Sequence, residues 1–178
     1  MEYKTLHYKD ETEEYWGIKL PHPTCRALFY CMFIRKCVVF EKLGFSVSFT
    51  IYTVCEVDEE KELVGCVDID MTKEEFKKLI EIFERAYNKI DKTDFDLQVL
   101  KTYKYPIGWT KDLIYRTLYV VVSDLDKGCV EISIDHKYKN ERGSGTIVSG
   151  IPILLKKEDF KKLIEMLKET YKKWEIEN

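Results

Sequence analysis

The phrase MTKEEFKKLIEIFERAYNKI, which begins at Met71, returns at Leu155 as LKKEDFKKLIEMLKETYKKW, with ten of twenty positions identical. A chain that states one segment twice is built from two copies of one unit, and the phrase says what ends that unit. Phe76, Leu79, Ile80, Phe83, Tyr87 and Ile90 recur at helical spacing, so they share one face of a helix. Phe160, Leu163, Ile164, Leu167, Tyr171 and Trp174 form the same face in the second copy. Lys77, Lys78, Glu81, Glu84 and Arg85 take the other side and read as a solvated surface with i,i+4 pairs. Thr72 followed by Glu75 is a capping box. Lys156 stands at the equivalent place in the second copy, so that signal is absent there.

The repeat extends backwards from the helix. In FSVSFTIYTVCEV, Phe45, Val47, Phe49 and Ile51 share one side, and Ser46, Ser48, Thr50 and Tyr52 the other. In CVEISIDHKYK, Val130, Ile132 and Ile134 oppose Glu131, Ser133, Asp135 and Lys137. Period-two patterning of this kind predicts strands with one buried face. Charged or Gly-rich turns, DEEKE at 58–62 and NERGSG at 140–145, divide them from the short apolar stretches GCVDIDM and SGIPILL. Further back, YWGIKLPHPTCRAL (15–28) lines up with YPIGWTKDLIYRTL (105–118) through Tyr15/Tyr105, Arg26/Arg116 and Leu28/Leu118.

Each half therefore reads β-β-β-β-α. One such unit is too small to bury its helix and sheet well. The expectation is an α+β fold, with two tandem repeats in one pseudo-two-fold domain, antiparallel sheets and a central helix pair. Repeat one covers about 15–90 and repeat two about 115–178. The segment between, about 91–114, holds Pro106 and Gly108 and reads as an irregular linker.

Composition narrows the function. With 45% hydrophobic and 34% charged residues, the chain is a globular protein and not a disordered one. Its net charge of −3 gives no global polybasic signature, so a nucleic-acid partner would have to meet a local patch. The longest apolar run, Ala27–Ile34, is far short of a membrane span. The acidic N-terminus MEYKTLHYKDETEEYW lacks the apolar core of a secretory signal, so a cytoplasmic location is expected. Abundant Lys, Glu and Ile point to a thermophilic source. The six cysteines sit in strand-like runs without a CxxC pair and read as buried apolar residues, with no metal site and no cofactor expected.

A four-stranded antiparallel sheet followed by one amphipathic helix resembles the positive-cofactor-four family of single-stranded-DNA-binding coactivators. The duplicated form resembles the Whirly proteins and the guide-RNA-binding proteins of trypanosome mitochondria. The stretch from Arg116 to Leu167 carries the likeness most clearly. It ends a strand in Gly150-Ile151-Pro152-Ile153-Leu154 and opens a helix with Glu158-Asp159-Phe160. The resemblance implies a non-enzymatic protein that binds single-stranded nucleic acid, DNA in preference to RNA, in transcription or replication.

Such binding needs cations along the phosphates and rings against the bases, which gives low sequence specificity and strong salt dependence. The stretch LKTYKYPIGWTKDLIYR interleaves Lys101, Lys104, Lys111 and Arg116 with Tyr103, Tyr105 and Trp109, and is the first candidate contact. The exposed sheet face, with Tyr52, Lys137 and Lys139 and with Arg142 in the adjoining turn, is the second. No nucleophile elbow, P-loop or zinc-protease motif occurs, so no catalytic residue is proposed. The alternative is a protein–protein interaction or assembly module of the same fold. It is motivated by Glu131 and Asp135 on that face, and by Ile147, Val148 and Ser149 where the family is basic. Further assembly into a homo-oligomer fits either reading.

Overall fold

The computed structural model describes residues 6–9, 13–37, 47–102, 105–106, 113–123 and 128–176. The first half runs β1 (Leu6–Lys9), β2 (Glu13–Pro21), β3 (Leu28–Cys37), β4 (Val47–Val57), β5 (Glu60–Met71) and helix α1 (Lys73–Lys89). The second runs β6 (Phe95–Lys101), β7 (Tyr105–Pro106), β8 (Leu113–Ser123), β9 (Cys129–Asn140), β10 (Gly143–Ser149), β11 (Ile153–Lys156) and helix α2 (Lys157–Ile176). Among the described residues the strands form two sheets. Sheet A has the order β1-β2-β3-β4-β5. Sheet B has the order β10-β9-β8-β6, with β11 also on β9 and β7 on β8. Every pairing is antiparallel. The α+β fold, with two antiparallel sheets and a two-helix centre, is the one the repeat predicts.

Register decides which rows turn inward. Tyr30, Met32 and Ile34 lie beside Phe49, Ile51 and Ile69, and all six are buried. In sheet B the equivalent row is Leu118, Val120, Val122, Val130, Ile132 and Ile134. The helices close over these rows. Phe76, Leu79 and Phe83 of α1, and Phe160, Leu163 and Leu167 of α2, have no exposed surface. A side chain of that size contributes about 1.5–3 kcal/mol on full burial. The Phe76 ring stands 5.7 Å from Tyr171 and the Phe83 ring 5.1 Å from Phe160. The start of α1 thus meets the end of α2, and the two helices run antiparallel. Each also packs on the first long strand of the other half, α1 on β6 and α2 on β2. One buried cluster runs through both halves as a result.

The start of α1 forms as its sequence predicts. Thr72 Oγ1 accepts from the Glu75 amide at 3.1 Å, and a Glu75 carboxylate oxygen accepts from the Thr72 amide at 2.8 Å. Two of the first-turn donors that a helix leaves open are thereby satisfied.

The structure departs from the sequence reading in three places. First, the segment expected as an irregular linker contains β6, paired with β8 from Phe95↔Ser123 to Lys101↔Thr117. FDLQVLK does alternate, but its pairing turns Asp96, Gln98 and Leu100 toward α1 and leaves Phe95, Leu97 and Val99 exposed. An apolar row that faces solvent does not announce a strand packed on a core. Second, β1 adds a strand to sheet A beyond the four expected. Third, five of the six cysteines are not core residues. Cys25, Cys31, Cys55 and Cys129 are half-buried, and Cys66 is exposed. Cys31 and Cys66 occupy positions whose neighbours in sequence, Met32 and Val67, turn inward, so the thiols face out.

Candidate nucleic-acid interface

Side chains on the outer face of sheet A follow from the same register. Tyr8 pairs with Tyr15, Tyr15 with Arg35, Gly17 with Phe33, Phe33 with Thr50, and Cys31 with Tyr52. Four rings consequently lie on one surface across four strands. Tyr8 and Tyr15 are stacked, with centroids 5.1 Å apart and planes at 21°. Phe33 meets Tyr15 edge-on at 5.9 Å and Tyr52 edge-on at 5.9 Å. Tyr8 is 44% exposed, and the other three are half-buried.

Gly17 makes this row possible. The Phe33 ring lies over the Gly17 backbone, and a Cβ at that position would stand 2.5 Å from two ring carbons. Only a residue without a side chain lets the ring lie flat against the sheet there. Arg35 and Lys19 stand on this face beside the row, and Lys19 lies 3.5 Å from Glu56. Lys9 and Glu14, 3.5 Å apart, belong to the next row, with Val47 and Met71, and turn to the helix side. Lys19 Nζ also sits 3.6 Å from the centroid of Phe29.

Where β5 ends this face, two carboxylates meet one arginine from the other sheet. Arg116 of β8 lies 3.1 Å from Asp68 and 3.1 Å from Asp70, and its Nε donates to His136 Nε2 at 3.2 Å. Burial pushes the Asp70 carboxyl up from the ordinary carboxylate range, while Arg116 and the Ser48 hydroxyl pull it down. One imidazole and two carboxylates thus hold one guanidinium between the sheets. Beside it, a crevice of about 160 Å³ opens between the sheets, lined by Ile51, Thr53 and Val67 on one side and Ile134, His136 and Ile151 on the other.

The sequence-predicted contacts are dispersed. Tyr52 lies in the ring row. Arg116 is the inter-sheet clasp, 16% exposed by side chain. Lys101 is exposed at the end of β6. Lys137 donates to the Tyr119 hydroxyl and lies 3.7 Å from Asp135. The Tyr119 bond raises the Lys137 ammonium above its ordinary pKa. Lys139 is exposed near the end of β9, and Arg142 is exposed in the β9–β10 turn, where its amide donates to Asn140. Tyr105 enters β7, whose backbone pairs with Ile114. Tyr103, Lys104, Trp109 and Lys111 lie outside the described residues.

Comparison with known proteins adds one similarity. No family model matches the chain, and no curated protein matches it. Among solved structures it is similar to the plant transcriptional regulator PBF-2, at 11% identity over 99% of this chain and 94% of that one, with a TM-score of 0.43.

Sequence reasoning missed Tyr8, Tyr15, Phe33 and Gly17. A signal existed for part of it. In YWGIKLP, Trp16, Ile18 and Leu20 form the apolar side, which leaves Tyr15, Gly17 and Lys19 on the other. Nothing local aligns Tyr15 with Phe33 and Tyr52, because those neighbours are set by strand register.

Proposed function

We propose that this chain binds single-stranded nucleic acid on the outer face of sheet A, acting by binding and not by catalysis. The row of Tyr8, Tyr15, Phe33 and Tyr52 carries this reading. A buried aromatic gains from the core, whereas rings grouped on a solvent-facing sheet offer stacking surface to a ligand. Nucleobases suit it because every base has a π-face, and each stack contributes about 1–3 kcal/mol without sequence preference. A duplex hides its base faces, so single strands are the favoured form. Lys19 already holds a carboxylate, so stacking outweighs phosphate contact near the row. Binding then weakens with salt less steeply than in a basic groove.

The test is a fluorescence-anisotropy titration with a labelled single strand of about twenty nucleotides, in DNA and RNA forms, against the matching duplex. Single strands are expected to bind, with affinity falling by about 1–3 kcal/mol in Phe33→Ala. No binding at low salt, or equal binding by duplex and single strand, overturns the reading. The ratio of DNA to RNA affinity tests whether DNA is preferred, and through it a role in transcription or replication.

A further inference from the structure

The free edge of β6 carries an interaction surface that is independent of the ring row. Thr102 donates its amide to the Arg116 carbonyl at 3.1 Å, and the register continues from Lys101↔Thr117. In an antiparallel ladder, bonded and non-bonded positions alternate. Asp96, Gln98 and Leu100 therefore spend their backbone groups on β8. Phe95, Leu97 and Val99 point theirs away from it, where no described strand pairs with them. One of these groups, the Phe95 carbonyl, accepts from the Thr93 hydroxyl at 3.2 Å. The same three residues expose their side chains, Phe95 by 63%, Leu97 by 45% and Val99 by 41%. An open edge with an apolar row is the kind of surface that a further strand covers.

The other half of the chain shows what covers it. β2 and β6 hold equivalent places: each lies beside the first long inner strand of its sheet and carries the opposite half's helix. β2 is capped by β1 in antiparallel pairing, Leu6↔Gly17 through Lys9↔Glu14. β6 has no described cap. Its own sequence suits an antiparallel copy of itself. Centred on Gln98, antiparallel pairing places Leu97 of one copy opposite Val99 of the other, and Phe95 opposite Lys101, where an ammonium can lie over the ring, whereas parallel pairing in register would set Lys101 beside Lys101.

We propose that β6 pairs with β6 of a second copy of this chain, about a two-fold axis at Gln98, to join two B sheets into one. Such a contact is isologous, so it closes at a dimer.

Sedimentation velocity of the full chain across the micromolar range tests this. A reversible dimer is expected. Leu97→Lys places charge in the paired row, and Val99→Pro removes an amide that points only outward, a position where an edge strand tolerates proline. Each is expected to weaken the dimer by at least about ten-fold while circular dichroism and melting stay close to those of the unaltered chain. Gln98→Cys gives a readout that does not depend on those variants. Gln98 would face its own copy across the axis at a close, non-bonded position, so mild oxidation of the Gln98→Cys protein should cross-link it well above the background from the chain's own cysteines. A monomer throughout the concentration range overturns the proposal. So does a dimer that survives both edge substitutions and does not cross-link through the Gln98→Cys thiol, or a monomer whose β6 edge instead captures an unrelated extended peptide.

Discussion

Lys168 Nζ lies 2.6 Å from a Glu84 carboxylate oxygen, and the two residues occupy the same position of the repeated helix, 84 residues apart. A position that touches its own counterpart lies on the two-fold axis relating the copies. In two identical copies the same charge would meet itself there. The two copies differ at this point, and the difference places opposite charges together.

That relationship is testable by charge swap. The side chains are 54% and 41% exposed, so the pair is screened. Glu84→Lys is expected to cost about 0.5 kcal/mol by setting two ammonium groups together. Adding Lys168→Glu should restore most of the loss. Denaturant midpoints of the two single variants and the double form a cycle that reads the coupling directly.

Gly17→Ala should disturb the ring row from below. Its methyl would come within 2.5 Å of Phe33, so the ring must swing off the sheet. Overpacking of this kind costs about 1–3 kcal/mol. The melting temperature should fall, and single-strand affinity should fall with it. If affinity held while stability dropped, Phe33 would not be part of the binding surface.

Acid should act on the inter-sheet clasp in a defined direction. The Asp70 carboxyl is raised, first by burial, against the opposing pull of Arg116 and Ser48 and with Asp68 adding to the rise. A group whose folded pKa is raised contributes stability below its unfolded pKa and loses it as pH rises through the folded one. Relative to Asp70→Asn, the unaltered chain should therefore gain stability as pH falls from neutral toward the ordinary carboxylate value. Urea unfolding of both proteins at several pH values measures this, and a difference that stays flat would show that Arg116 cancels the burial cost.

Thr72→Ala removes one half of the capping box. The hydroxyl accepts from the Glu75 amide, and its loss should cost about 1 kcal/mol. Lys156→Thr offers the converse at the other helix, where the equivalent hydroxyl is missing. Thermal melts of both variants compare the two helix starts.

Local sequence determined much of this protein. The repeated phrase placed the helices, their buried faces and the cap at Thr72, because a helix expresses its environment at fixed spacings along the chain. Alternation placed the long strands and their inner rows for the same reason. Only the tertiary structure decided the rest. It gave FDLQVLK its outward apolar face, because pairing with β8 chose the parity. It drew Arg116 from an expected ligand contact into a bond with Asp68, Asp70 and His136, which come from β5 and β9. It aligned Tyr8, Tyr15, Phe33 and Tyr52 over Gly17. Each of these depends on register between strands far apart in the chain, and a shift of one residue would turn every side chain to the opposite face.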